Sequence, residues 1–339
     1  MTAPGPVVGA GSQPLGWGFV ATGGIARTVG ADLRLLGADR LVAASSRDAR
    51  RAQLFADEFG DGFATGYGSV EELVADPRVD VVYVATPHAQ HLGPARAALE
   101  AGKAVLCEKA MTLTPADTAA LVAVAREQGV FLMEAVWMRF NPLVTRLRTL
   151  VADGAIGDLR LVTAAFGFVS QYDAASRMWD PALGGGSLLD LGIYPVNFVQ
   201  MLLGSPESVE ASGALSPDGV DAEASLLLRY PGGTSALVAS SLLAPLSVTA
   251  SVAGTAGRVD VDEQFHTPTS MTLRREGADP ETFRVELEGN GYVPQLRHVE
   301  ECVRAGATES AVMPLDDSVT VASILQQALD ALGVSYPGA

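Results

Sequence analysis

Asp190 and Tyr194 stand four residues apart in an apolar run, Gly184–Pro195, that reads GGGSLLDLGIYP. They are its only titratable side chains. In a helix, that spacing sets a carboxylate and a phenol on one face, one turn apart. A carboxylate beside a phenol, entered through three glycines, is the material of proton transfer. The plainer alternative is a buried helix whose Asp and Tyr hydrogen-bond each other or the backbone.

More candidates sit where apolar runs end nearer the N-terminus. After GWGFV the chain reads Ala21-Thr22-Gly23-Gly24-Ile25-Ala26 and opens a helical pattern. At a strand-to-helix turn, glycines let a pyrophosphate approach the backbone, and the helix start offers oriented N–H groups. Thr22, Gly23, Gly24 and Ile25 are therefore expected dinucleotide contacts, with Ala21 in place of the first glycine of the usual fingerprint. The next run, RLVAASSRDARR, ends on Ser45, Ser46 and Arg47. An NAD site commonly has a carboxylate there for the ribose 2′-hydroxyl. Two hydroxyls and a guanidinium suit a 2′-phosphate instead, so NADP is expected over NAD. The alternative is that Arg47 merely begins the next helix, with Asp48 as its partner. VVYVATPHAQH places Thr86, Pro87, His88 and His91 at a strand's carboxyl end, and AVLCEKA places Glu108 and Lys109 at the next. Ligands bind at that edge of open α/β sheets. His88 and His91 lack a third ligand nearby, so no metal is expected.

These residues need a scaffold, and the periodicity supplies one. From Leu15 to Ala135, short apolar runs (WGFVA, RLVAAS, VDVVYVAT, AVLCE, VFLMEA) alternate with helical patterns. That rhythm predicts a parallel sheet covered on both faces. A helix from Asn141-Pro142 to about Asp153 follows, and after the glycine-rich helix come period-2 runs from SVEASGAL to TFRVELEG. These predict antiparallel strands, and two helices close the chain. The expected fold is α/β: an N-terminal Rossmann doubly wound parallel sheet plus a C-terminal α/β domain with a large, mostly antiparallel open-faced sheet. The expected boundaries are a disordered tail over 1–14, a dinucleotide-binding domain over 15–136 and a substrate-binding and oligomerisation domain over 137–339.

Bulk properties exclude other classes. The 339 residues carry a net charge of -16, which disfavours nucleic acid and anionic membrane surfaces as partners. The first residues lack a basic region followed by a long apolar one and read as a tail rather than a signal peptide. No run of membrane-spanning length is free of charges and turn formers. Two cysteines without paired spacing suit a reducing cytoplasm, the expected location.

In this order, ATGGIA, ATPHAQH, Glu108-Lys109 and GGGSLLDLGIY resemble the Gfo/Idh/MocA oxidoreductases over nearly the whole chain after the tail. MEAVWMRFNP, together with GIYP, is most similar to the branch of dihydrodiol dehydrogenases and NADP-dependent D-xylose dehydrogenases. The resemblance implies a Rossmann domain, a second domain with a large open sheet, and a nicotinamide and a sugar-like substrate in the cleft between them. It implies a catalytic Lys109, with Asp190 from the glycine-rich motif. Tyr194 takes a position where many members have His and this branch has Tyr. Ala110 stands where the common pattern has Pro, which makes the local backbone an open question.

The expected chemistry is hydride transfer between nicotinamide C4 and a hydroxyl-bearing carbon of a sugar, cyclitol or cyclic diol. Tyr194 handles the hydroxyl proton. A free phenol is only about 0.1% ionised at pH 7, and a nearby ammonium lowers its pKa, the role expected of Lys109. Asp190 orients substrate or Lys109. Trp137 and Arg139 are expected at the cofactor, or else packing the domain junction. Phe168 and Trp179 are expected at the substrate, where aromatic faces suit a sugar ring. Two alternatives stand beside this: a reductase of keto-sugars, and a non-catalytic NADP-binding sensor or scaffold. A homodimer or higher homo-oligomer through the C-terminal sheet is expected.

Overall fold

The computed structural model describes residues 14–37 and 39–337, so nearly all of the expected tail lies outside the described residues. The first unit runs β1 (Gly16–Val20), α1 (Gly24–Leu33), β2 (Arg40–Ser45), α2 (Ala49–Phe59), β3 (Thr65–Tyr67), α3 (Val70–Ala75), β4 (Val81–Val84), α4 (Leu92–Glu100), β5 (Ala104–Glu108), α5 (Pro115–Gln128) and β6 (Leu132–Ala135). The six strands are parallel and lie in the order β3-β2-β1-β4-β5-β6. Helices cover both faces, so β1, β4, β5 and β6 are buried at every position and apolar except for Glu108 and Glu134. Side chains of Asp48, Ser69 and Thr114 accept from backbone N–H groups and start α2, α3 and α5. Strand order reverses between β1 and β4, which opens a crevice at their carboxyl ends.

The second unit begins with α6 (Pro142–Ala152), where Pro142 at the first turn and the Asn141 cap set the start. It continues with β7 (Leu159–Gly167), a π-helical turn over Leu188–Gly192 and α7 (Ile193–Leu203). Then come β8 (Ser208–Leu215), β9 (Asp221–Arg229), β10 (Ser235–Ser241), β11 (Ala250–Gly254), β12 (Gly257–Val261), β13 (Ser270–Arg275), β14 (Glu281–Arg284), α8 (Val293–Arg304) and α9 (Leu315–Leu332). The sheet order is β14-β13-β12-β11-β7-β10-β9-β8. Every pairing is antiparallel except β7 with β10, so the sheet is mixed but mostly antiparallel, as expected. Strands β3 and β7 are two that the apolar runs do not announce. Inward residues such as Val162, Val238 and Val252 are buried, with α7 packed on β7 and β10, while Leu237 on the outer face is 49% exposed.

The stretch Pro181–Leu203 is long and apolar enough to cross a membrane by composition, and 78% of its most apolar window is buried inside the fold. It is a core segment of the fold, a π-helical turn that carries Asp190 and then α7. Helix α9 returns to pack on α5 and β6 of the first unit, and the Leu132 N–H donates to the Thr308 carbonyl at 3.1 Å.

Candidate active site

A cleft of about 920 Å³ follows the crevice and runs on to the π-helical turn of the second unit. At one end stands the turn after β1. Gly23 caps α1 at φ -76°, and a Cβ built on Gly23 or Gly24 would meet nothing within 4 Å. These glycines are required neither by the backbone angle of Gly23 nor by protein packing, which leaves a ligand that approaches the helix start. Ala21 sits at φ 77°, the left-handed region that the missing first glycine would occupy without strain. Beyond it, the Ser45 hydroxyl is buried with no hydrogen-bond partner among the described residues. Ser46 and the exposed Arg47 and Arg51 line the same end. Asp48, the possible partner of Arg47, instead accepts from the Arg50 and Arg51 N–H groups at 2.9 and 3.4 Å. An open glycine turn at a helix start with an orphaned hydroxyl beside it fits a dinucleotide.

At the other end, Lys109 donates to the Asp190 carbonyl at 2.7 Å and to its carboxylate at 3.0 Å. Arg177 approaches the same carboxylate at 3.3 Å. Burial pushes the Asp190 carboxyl up, but the charges of Lys109 and Arg177 outweigh it and hold the group below the usual carboxylate range. The Lys109 ammonium lies 5.2 Å from the centre of the Tyr194 ring, and the Tyr194 hydroxyl accepts from the Trp137 indole N–H at 2.9 Å. The spacing of Asp190 and Tyr194 thus puts both on the cleft wall, but one on a π-helical turn and the other in the first turn of α7.

One expectation is corrected here. Tyr194 is shifted up, not down, because it is buried and faces the charges of Glu108 and Asp190. The resting group is a protonated phenol. The Lys109–Ala110 peptide is cis without a proline, which answers the question left by the sequence.

Thr86, Pro87, His88, His91 and Glu108 also line the cleft. His91 is held at both ring nitrogens, by the Ala110 carbonyl at 2.8 Å and the Thr86 carbonyl at 2.7 Å. His88 bonds the Gly184 carbonyl at 2.9 Å, and burial, helped by the Lys109 charge, pushes it down to about 3, so it is neutral. Glu108 accepts from Tyr83. No group of metal-binding residues occurs among the described residues.

Four expected site residues do not line the cleft. Arg139 is 1% exposed and donates to Asp317, Asn197 and Gln200, so it ties α7 and α9 together at the domain junction. Trp137 lies behind Tyr194. Trp179 is buried, with its indole N–H on the Gln171 carbonyl, and Phe168 is 40% exposed on the stretch after β7. Conversely, Arg51 and Arg177 line the cleft and lie outside the expected set, and His266 packs beside Tyr194. Arg51 carried a signal, since it follows Arg47 by four residues. His266 reaches Tyr194, at 5.2 Å between ring centres, only through the tertiary fold.

A parallel sheet in this order, facing an acid–base cluster carried by a second domain, defines a dinucleotide-dependent oxidoreductase. Comparison with known proteins agrees and narrows the class. Residues 15–136 match the family model described as oxidoreductase family, NAD-binding Rossmann fold, and residues 144–260 match the GFO/IDH/MocA C-terminal domain. The chain is 41% identical over 332 residues to the trans-1,2-dihydrobenzene-1,2-diol dehydrogenase of Mus musculus, covering 95% of this chain and 98% of that one. Aldose-aldose oxidoreductase from Caulobacter crescentus, complexed with glycerol, superposes with a TM-score of 0.84 at 27% identity, over 94% of this chain and 98% of that one. A 3-ketoreductase from Actinomadura kijaniata, with NADP and TDP-benzene, superposes at 0.81 with 26% identity, over 94% and 98%. The chain belongs to the GFO/IDH/MocA oxidoreductase family and is an NAD(P)-dependent dehydrogenase or reductase.

Proposed function

We propose that this protein transfers hydride between NADP and a hydroxyl-bearing carbon of a sugar, cyclitol or cyclic diol, with Tyr194 as the acid/base and Lys109 assisting. The observation that carries the reading is the shared wall. The Tyr194 phenol and the Lys109–Asp190 pair line one end of a cleft whose other end has the open glycines, Ser45 and Arg47. The nicotinamide, when bound, supplies the hydride donor or acceptor. The chain supplies the rest. Lys109, held by Asp190, is a fixed positive charge for a substrate oxygen. Tyr194 exchanges a proton with that oxygen, and the Trp137 N–H, which points at the phenol oxygen, stabilises it when negative. Names of the relatives support a diol or sugar as substrate.

The structural likeness to a 3-ketoreductase favours the reverse direction as a second reading, in which the protonated Tyr194 phenol donates to the carbonyl oxygen of a keto-sugar. Both directions are tested by following the absorbance of the reduced nicotinamide. Substrates are trans-1,2-dihydrobenzene-1,2-diol, D-xylose and inositol with NADP, and a keto-sugar with NADPH. Tyr194→Phe is expected to lose turnover by at least about a hundredfold while NADP affinity stays within about twofold. Unchanged turnover overturns the role. NADPH binding without turnover of any of these substrates favours the sensor reading. The half-exposed Leu237 on the outer face of the eight-stranded sheet supports self-association there, and sedimentation velocity of Leu237→Glu against the parent chain reads it. Two free thiols, Cys107 and Cys302, support a cytoplasmic location.

A further inference from the structure

Asp32 lies at the end of α1, the helix whose first turn faces the cleft, and is 1% exposed. Its carboxylate accepts from the Asn290 N–H at 2.8 Å, the Asn290 side-chain amide at 2.8 Å and the Tyr292 N–H at 2.9 Å. The segment that supplies these donors is Gly289-Asn290-Gly291-Tyr292, with Gly289 at φ 60° and Gly291 at φ 96°. A Cβ on Gly289 would stand 2.4 Å from Asp32 Oδ1, and one on Gly291 would stand 2.9 Å from the Trp137 ring. Both glycines are therefore required by close approach as well as by conformation. The segment is gripped by Asp32 on one side and pressed on Trp137 on the other. The Tyr292 ring stacks on Trp137 with centroids 4.3 Å apart and planes 19° apart. Trp137 in turn donates its indole N–H to the Tyr194 hydroxyl.

We infer that Asp32 is a positioning residue: through the Gly289–Tyr292 segment and Trp137, it sets the place of the Tyr194 phenol oxygen, so the helix that faces the cofactor also registers the acid/base group. The inference rests on the reading of Tyr194 as acid/base. A carboxylate buried only to clamp two domains would need no aromatic ring at the end of its grip. Here the grip ends on the one indole that touches the phenol.

The test uses the full chain and two readouts. The first is hydrogen exchange of the Trp137 indole N–H by NMR in the cofactor-free protein, assigned among the three tryptophans by Trp137→Phe. The second is the split between kcat and KM with NADP and trans-1,2-dihydrobenzene-1,2-diol. Tyr292→Leu removes the stacked ring and keeps the backbone donor to Asp32. It is expected to speed indole exchange about tenfold and lower kcat about tenfold, with KM for NADP within about twofold. Asp32→Asn is expected to do the same, and Tyr292→Phe to restore both. If Asp32→Asn does not fold, Asn290→Ala, which removes a side-chain donor to Asp32 and keeps the Tyr292 ring, decides in its place: faster indole exchange and lower kcat support the inference, and no change in either overturns it. Where turnover is too slow to split kcat from KM, the indole exchange decides. Unchanged exchange and kcat in Tyr292→Leu, with Tyr194→Phe inactive, overturn this inference alone. An active Tyr194→Phe overturns the acid/base reading instead.

Discussion

Arg47→Ala tests the choice of cofactor most directly, and the structure sets how large the effect can be. Arg47 and Arg51 line the cleft end that also holds the orphaned Ser45 hydroxyl, and both guanidiniums are exposed. A bond between an exposed guanidinium and a phosphate dianion is charge-assisted, which raises it above a neutral bond, but water screens it. The net contribution of one such arginine is about 1.5–2 kcal/mol, or about ten- to thirtyfold in affinity. Arg51 remains in the variant and stops the loss from being larger. NADH lacks the 2′-phosphate, so its affinity changes by less than about threefold. The assay is titration of the intrinsic fluorescence of NADPH and NADH with the two proteins, at low and high salt. Screening shortens from about 10 Å at 0.1 M to about 3 Å at 1 M, so the NADPH difference between the two proteins should shrink as salt rises. Equal losses for the two nucleotides, or none, refute the assignment of this end to a ribose phosphate.

Three other perturbations follow from the site and its supports. Gly23→Ala leaves the melting temperature of the cofactor-free protein within about 1 °C, because the new methyl meets nothing, yet weakens dinucleotide binding by at least about tenfold, read in the same titration. Ala21→Gly relieves the left-handed strain but adds freedom to the unfolded chain, for a net gain of about 0.5 kcal/mol and a rise of about 1–2 °C in the calorimetric melting temperature. Burial pushes Asp221, beneath the glycine-rich turn, up to about 7, against stabilising bonds from Ser187 and Leu188. A carboxyl raised in the folded state contributes stability that is present below its unfolded pKa and is lost as pH rises through about 7. Denaturant unfolding of Asp221→Asn should therefore lose less stability than the parent from about pH 4 to about pH 7, by up to about 1.4 kcal/mol per pH unit. Parallel stability curves refute it.

Much of the fold was legible because the first sheet is buried on both faces, and uninterrupted apolar runs such as VVYV and AVLCE suit little but a strand covered on both sides. β3 is harder to see because its three residues, Thr65–Tyr67, are half-buried and form no apolar run. β7 is hidden for a different reason. Its nine residues are fully buried only at Val162, Ala164 and Gly167, and Arg160 and Thr163 break the apolar run. At the site, residues at strand ends and helix starts could be placed because topology alone brings them to one edge. Lys109 and Asp190 meet there. The direction of the Tyr194 shift could not be read, because it depends on burial and on the charges of Glu108 and Asp190. Arg139, Trp137 and Trp179 have the chemistry of ligand contacts. Their hydrogen bonds to Asp317, Tyr194 and the Gln171 carbonyl show the alternative that a sequence does not display. Asp32, Tyr292 and His266 had no local signal at all, since their partners lie across the fold.

Helix α9 closes against α5 and β6, and Leu315 is buried in the same apolar cluster as Val20, Val84 and Leu132. The dinucleotide half is therefore unfinished when its own last strand leaves the ribosome. It waits for α9, made after the whole of the second sheet, before that side is sealed. A nascent chain stalled before α9 would present an apolar α5 flank to chaperones, and the docking of α9 would be the event that commits both halves together. Truncations that spare every cleft residue but remove α9 should for that reason be found in the insoluble fraction.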